Sequence, residues 1–430
     1  MLFFNHLEGY EEEMKTLRFL IGISLLILLF ACTTVPVKTK AKLQNPFEAA
    51  QWNAANEMFK QDYHWQGADD AYSIKLDNNR VLWLFGDTLI ARNDKIVSRF
   101  ATDINMAKNS VGIQDGLNPS TAKIKYYWNK NSDSIEPKSF FESPYILSGN
   151  WLWPGDCAML PDGKTLVIFF MNIKPTNTEL NFDIVGCQVA IIRNSYDAPN
   201  KWNIEWIKNI SENSYLNILI GSGGVLVDGN YIYAYGYSRN ENIKGVTLAR
   251  WPVKLFEQCD VDLINPQWWV GGGAQWINER ELGRNMLPAI LWDKQQTEFS
   301  VTKLASELFI MFQAYPQNGF IGNANLVYRV SRALTGPWSE QIVLYEKLFR
   351  DKLFPKDLMV YAGKYHPELT GADFIFTYAT NTQNLKTLLE SDDLYYPCFL
   401  KVDNKYFIEK LKMELVEIKV DKVDLPITDQ

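Results

Sequence analysis

Five times along this 430-residue chain, a run of β-forming residues meets a turn signal and then a second such run. Nowhere does an apolar period of 3.6 residues persist long enough for a long amphipathic helix. The sharpest copy spans residues 67–88, where Asp77-Asn78-Asn79 separates two hydrophobic strands. Asn and Asp tolerate the left-handed backbone of a tight hairpin. The same grammar returns in 155–170 around Pro161-Asp162-Gly163, in 221–238 around Asp228-Gly229, and in 299–315 around Ala305-Ser306-Glu307. The fifth copy runs from His366 to Leu369, turns at 370–373, and continues through 374–379. Further strand-like runs follow several units, at 186–194, 202–208, 326–330 and 336–345. Strand starts near 69, 155, 222, 299 and 366 lie roughly 65–85 residues apart, a spacing that suits four-stranded blades with long connections. The expectation is an all-β, five-bladed β-propeller, with a pair of β-sandwiches as the alternative.

Hairpin geometry in the first unit carries a chemical consequence. With a three-residue loop at 77–79, Leu76 faces Arg80 and Asp69 falls opposite Asp87. With a two-residue loop at 78–79, Asp70 falls opposite Asp87 instead. Directly opposed residues have Cβ atoms about 5 Å apart, so two carboxylates meet at the open end of the hairpin. Like charges there destabilise the fold, and each raises the pKa of the other. Capping of strand ends explains one such Asp. A pair beside Gly67, Gly86 and the aromatic run 83–85 points to a site.

The start of the chain addresses the compartment. Glu11, Glu12 and Glu13 do not suit a targeting segment, so translation is expected to begin at Met14. Lys15 and Arg18 then precede an apolar run at 19–31, too short to span a bilayer as a mature helix. It ends Leu29-Phe30-Ala31-Cys32, which is similar to a bacterial lipobox in which Cys32 is lipidated and becomes the mature N-terminus. Residues 1–31 are thus expected to be a signal peptide, 32–51 a lipidated tether and 52–430 the propeller domain. Residues 48–60 read as a short helix leading in. No Asp follows Cys32, which favours the outer membrane of the cell envelope.

Composition narrows the function. Net charge is −7 and basic residues form no clusters, which argues against a nucleic-acid partner. Aromatics reach 14%, which suits both an all-β core and sugar-stacking surfaces such as the Trp-rich stretch 267–276. Cys157, Cys187, Cys259 and Cys398 contain no Cys-x-x-Cys, so no zinc site is expected, while an exported chain could pair them in disulfides. Gly163-Lys164-Thr165 lacks the first glycine of a phosphate loop, because Ala158 stands there. There is no Gly-x-Ser-x-Gly elbow, and a serine triad would have to recruit His64 or His366. No calcium loop of EF-hand spacing is present, and no cofactor or metal is expected.

The segments 67–73 and 83–88, Asn109-Ser110, Trp153-Pro154-Gly155-Asp156 and Lys364-Tyr365-His366-Pro367-Glu368 occur in that order. Over roughly 50–415 this pattern resembles bacterial propeller domains of unknown function, related to five-bladed glycoside hydrolases of the arabinanase and levansucrase type. Some relatives in that group are endo-acting D-arabinanases. The first strand of that group usually reads Gly-Asp-Gly, so Asp69 matches its aspartate and Asp70 stands where glycine is usual. The resemblance implies a protein acting on polysaccharides.

First-strand positions of successive blades supply Asp69, Asp156, residues 221–224, and His366 with Glu368. Convergent carboxylates suit glycosidic cleavage, in which one acid protonates the leaving oxygen and a base or nucleophile works on the anomeric carbon. A separation of about 5–5.5 Å implies retention and about 6.5–9.5 Å inversion; the hairpin leaves both open. The expected catalytic pair is Asp69 and Asp87, with Asp156, Asn109, His366 and Glu368 binding substrate. For Asp156 a blade-packing hydrogen bond is the competing role, for Asn109 a turn, and for His366 a structural bond. The expected function is a lipid-anchored hydrolase of an arabinan-like envelope or environmental polysaccharide. The alternatives are a glycan-binding propeller without catalysis, which Asp70 in place of glycine favours, and an envelope scaffold.

Overall fold

The computed structural model describes residues 49–417, apart from 93–103, 131–135, 179–180, 212–215, 241–243, 259–263, 274, 283–285, 294–295, 317–318, 320, 350–354, 392 and the side chains of 412–417. Met14, the apolar run 19–31, Cys32 and most of the expected tether lie outside the described residues, as does Cys259. The fold belongs to the unit Phe47–Gln430.

Among the described residues strand predominates, 49% against 11% helix. Among the described residues, five antiparallel sheets of four or five strands follow one another in sequence, beside one three-stranded and one two-stranded sheet. The first contains Tyr72–Lys75, Arg80–Phe85, Ser110–Asp115 and Lys123–Tyr127. The second contains Trp151–Met159, Leu166–Pro175, Phe182–Ile192 and Ile204–Ile207. The third has five strands, Ile218–Asp228, Tyr231–Ser238, Gly245–Pro252, Gln267–Trp269 and Trp276–Asn278. The fourth runs Ser300–Ala305, Leu308–Pro316, Ala324–Ser331 and Ile342–Tyr345. Leu358–Tyr365, Phe374–Thr382 and Cys398–Val402 form the fifth, whose outer edge is completed by Ala50–Gln51. Residues 50–51, expected in the tether, are therefore a strand. They cover the edge of Cys398–Val402, which would otherwise present unpaired backbone groups.

The core explains why these sheets stand in this order. One apolar cluster joins the first and second sheets through Leu82, Leu84, Ile168 and Phe170. Others join second to third through Phe169 and Trp251, third to fourth through Tyr235 and Phe309, and fourth to fifth through Phe312 and Phe376. The last brings the fifth sheet back to the first through Phe399 and Trp83. There Phe59 stacks on Phe399 with centroids 5.2 Å apart and meets Trp83 edge-on at 5.1 Å. Each fully buried side chain of this kind contributes on the order of 2–3 kcal/mol. The first strands of successive sheets also approach closely: a Cβ at Gly155 would stand 2.2 Å from the carbonyl oxygen of Gly221.

Three departures from the expectation have local causes. The fifth hairpin uses Leu358–Tyr365 as its first strand, and His366–Leu369 lie in the connection, where Pro367 has no N–H for a ladder. A helix closes the described chain at Asn404–Glu417, burying Phe407 and Leu411 one turn apart against the fourth and fifth sheets. Of the two loops open from sequence, the first hairpin has the three-residue one, with Leu76 N–H bonded to Arg80 O and Tyr72 paired with Leu84, yet it breaks at its open end. Beyond the break, Trp65–Ala68 and Thr88–Ala91 continue in a separate three-stranded sheet with Ile104–Ala107. Residues 53–60 form a short α-turn and a 3₁₀ turn, within the helical lead-in read from the sequence. Cys157, Cys187 and Cys398 are free thiols, so no disulfide joins them.

Candidate active site

The break in the first hairpin is where the acids gather. Asp70 and Ala71 take left-handed backbone, with φ of 67° and 53°, and Ala71 N–H turns back onto Asp69 O at 2.9 Å. Opposite, Gly86 leaves space that the carboxyls fill. A Cβ there would stand 2.6 Å from Asp69 Oδ1 and 2.5 Å from Asp70 Oδ2. Glycine at 86 is thus required for both acids to lie against the partner strand. The ladder pairs Ala68 with Thr88 beyond the break and Tyr72 with Leu84 before it, so Asp69 and Asp87 flank the same gap.

The two acids have different partners. Asp69 accepts a hydrogen bond from the Tyr361 hydroxyl at 2.7 Å, and Asn381 Nδ2 donates to that hydroxyl at 3.2 Å. Asp87 accepts from Trp153 Nε1 at 2.8 Å and from Lys108 Nζ at 3.4 Å, while Tyr395 donates to its main-chain oxygen at 2.9 Å. Burial, then the charge of Asp87, lifts Asp69 to about 7 against the Tyr361 bond. Burial also raises Asp87, but Lys108 and the Trp153 bond hold it back. The mutual repulsion read from the hairpin is therefore resolved unequally.

Acids continue inward from this pair. Asp70, only 7% exposed, is pushed well up by burial and by Asp69. Lys364 is 2% exposed; its Nζ donates to the main-chain oxygens of Asp70 and Ala362 and lies 4.0 Å over the Tyr72 ring. The Tyr72 hydroxyl donates to Ser222 O. Asp156 sits at the bulge of the second sheet's first strand, where Val225 N–H and Cys157 N–H each bond its carboxylate at 2.8 Å. Burial raises it to about 6 against those bonds. Asp156 thus both ties the second strand set to the third and sits beside the acid column.

The contacts then step along Leu358–Tyr365 in parallel with 69–73: Tyr361 to Asp69, Lys364 to Asp70, and finally His366 and Glu368 to Ser73. Ser73 Oγ donates to Glu368 Oε1 and meets His366 Nδ1, while His366 Nε2 is 2.7 Å from Thr377 Oγ1. Burial raises Glu368 to about 7 and lowers His366 to about 3, so the imidazole is neutral. These two residues form a closed network at the opposite end of the column from Asp87. Asn109 was expected at the substrate and is found elsewhere. It is fully buried, its amide donating to Phe141 O and Leu152 O at 3.2 and 2.9 Å and accepting from Phe141 N–H at 2.7 Å. With both amide hydrogens spent on backbone, it anchors the 140–152 segment to the first sheet.

Sequence reasoning missed four members. Tyr361 and Lys364 lie on a strand placed later in the sequence than its true position, and Lys108 has no motif around it. Glu298 lies two residues before the first strand of the fourth sheet, much as Asp69 lies three before that of the first. Its charge raises Asp69 and Asp70. That shared position at a strand start was the available signal. Beside Asp87, half-buried Trp151, Trp153 and Phe182 form an aromatic wall, with Trp153 and Phe182 edge-on at 4.7 Å and Lys108 4.6 Å over Trp151. Among the described residues, no three His, Cys, Asp or Glu side chains are placed to hold a metal ion.

A family model described as "Domain of unknown function (DUF5005)" matches residues 53–405. The chain belongs to that family. A crystal structure of a Bacteroides ovatus protein, named provisionally as a hydrolase, has a TM-score of 0.64 at 15% identity, covering 87% of this chain and 93% of that one. This family member therefore shares the fold of that protein. The catalytic domain of a Coprinopsis cinerea GH62 α-L-arabinofuranosidase gives a TM-score of 0.43 at 9% identity, over 80% and 93% of the two chains. Notoamide biosynthesis cluster protein J' of Aspergillus versicolor is 21% identical over 305 residues, 69% of this chain and 75% of that protein.

Proposed function

We propose that this protein is a glycoside hydrolase of five-bladed propeller architecture, the five sheets being its blades, in which Asp69 is the general acid and Asp87 the base or nucleophile. The observation that carries the reading is the pair of half-buried carboxyls across the hairpin break, held by unlike partners. Asp69, bonded by a neutral phenol and raised to about 7, can hold a proton near neutral pH. Asp87, beside Lys108 and Trp153, can stay ionised. Two carboxyls driven apart in this way are what acid-assisted cleavage of a glycosidic bond uses. The aromatic wall of Trp151, Trp153 and Phe182 would stack a sugar ring next to Asp87. The substrate class is an arabinan-like polysaccharide of the envelope or the environment, reached by a chain anchored through lipidated Cys32, in the outer membrane. The resemblance of the 67–88 and 364–368 segments to arabinanase-related propellers supports the substrate class, and the lipobox supports the anchor.

Incubation with a panel of arabinans, fructans and envelope polysaccharides should release reducing ends from an arabinan-type member. A panel-wide absence of release, with retained binding, would support the other reading. That reading is a glycan-binding propeller without turnover, favoured by the crowding of Asp70 beside Asp69 against Gly86. Asp70→Gly distinguishes them: turnover in the variant alone shows a site blocked by that side chain. For the anchor, Cys32→Ser should leave an unprocessed or soluble precursor. Membrane fractionation of a mature-sized mutant would contradict it.

A further inference from the structure

Lys364 is the cation at the centre of this column, and the manner of its containment is unusual. Its ammonium is buried, yet everything that touches it is neutral: the carbonyl oxygens of Asp70 and Ala362, and the face of Tyr72. Among the described residues, no carboxylate forms a contact ion pair with it. Four acids from three parts of the fold act on it through space. Asp69 and Asp70 come from the hairpin break, Asp156 from the second sheet, and Glu298 from the start of the fourth. A lysine in contact with one carboxylate would spend most of its charge there. Held by carbonyls and a ring, its field reaches all four.

We propose that Lys364 is a positioning residue: a cation caged by neutral groups that serves Asp69, Asp70, Asp156 and Glu298 as a common counter-charge. It acts in two ways. Its grip on Asp70 O fixes the left-handed turn that brings both adjacent carboxyls to Gly86. Its charge offsets the repulsion that Asp87 and Glu298 exert on Asp69, while Tyr361 supplies the neutral bond. Just beyond the end of its strand it also opposes protonation of His366, adding to the burial that lowers that imidazole. The column can therefore gather its acids without a salt bridge that would lock any one of them ionised. The kinetic part of this inference rests on the glycosidic reading; the electrostatic part does not.

The test is a carboxyl titration, followed by ¹³C NMR in full-length wild-type protein and in Lys364→Met. Methionine keeps the length and apolar stem of lysine and removes the charge. The Asp69 carboxyl should titrate at higher pH in Lys364→Met than in wild type, and if the protein cleaves glycan, the alkaline limb of its rate profile should move the same way. An unmoved Asp69 titration in a folded variant overturns the proposal, whatever the enzyme assay shows. Should Lys364→Met fail to fold, the wild-type Lys364 side-chain shift decides. A charged ammonium at pH 7 supports the counter-charge role, and a neutral amine overturns it. Tyr72→Phe keeps the ring over Nζ but loses the bond to Ser222; it should leave the Asp69 titration in place, and a shift equal to that of Lys364→Met would overturn the assignment to Lys364.

Discussion

The two ends of the acid column contrast. At one, Asp69 and Asp87 face a gap with unlike partners, and their charge states are pulled apart. At the other, Glu368, Ser73, His366 and Thr377 close on themselves. Glu368 is raised to about 7, like Asp69, so a raised pKa alone does not separate the two ends. What separates them is the setting. Both are raised first by burial and also by a second acid, Asp87 for Asp69 and Asp156 for Glu368. But Asp69 faces its second acid across a break in the hairpin, whereas Glu368 closes a hydrogen-bonded network with Ser73, His366 and Thr377. The lesson is that a raised pKa becomes a candidate for chemistry only together with an open, unequally partnered setting.

That contrast can be broken by substitution. Asp69→Asn or Asp87→Asn should lower turnover on a cleaved glycan by about 100-fold or more, the usual scale for an acid or base group. Glu368→Gln should lower it by less than about tenfold. A comparable loss from Glu368→Gln would place the chemistry at the closed end. Gly86→Ala should follow, with a loss on the order of tenfold. The added Cβ displaces two flexible carboxyls rather than backbone, so the melting temperature should change little. An unfolded Gly86→Ala protein would show that the break itself holds the first sheet together.

The smallest expected effect is on stability, and its sign is defined. Asp69, Asp156 and Glu368 have folded-state pKa values raised to about 7, 6 and 7, and Asp70 and Asp87 are raised too. Above about pH 4 the unfolded acids have lost protons that the folded ones keep, so stability falls as pH rises toward 7. His366, lowered to about 3, opposes this between pH 3 and 6.5, but it is one group against five. Melting temperature should therefore be higher near pH 5 than near pH 7.5, and Asp69→Asn should flatten the slope. A melting temperature that climbs steadily from pH 5 to 7.5 would contradict the raised values.

Much of this architecture was legible because hairpins are local. The turns near 77–79, 161–163 and 228–229 follow from a few adjacent residues, while the choice between the two registers of the first hairpin, settled as Leu76 with Arg80, does not. The strand at Ala50–Gln51 did not follow, because its partner at Lys401 and Leu400 is some 350 residues away and two residues carry no period. The break at 69–71 was equally hidden, since an Asp at φ 67° looks in sequence like any other Asp. Asn109 was misread because a buried Asn that ties backbone and an exposed one that meets a ligand have the same letters. That positions 69 and 87 face the same gap was legible, because counting outward from a three-residue loop brings them opposite each other. Their partners Tyr361, Trp153 and Lys108 reach them from other parts of the chain, which only the folded arrangement shows.

The most direct measurement is a site-resolved carboxyl titration of Asp69 and Asp87 in the wild type and in Asp87→Asn. Asp69 should titrate near 7, above Asp87, and should move to lower pH when the charge at 87 is removed. Both groups titrating together below pH 5, or Asp69 unmoved by Asp87→Asn, would contradict the account.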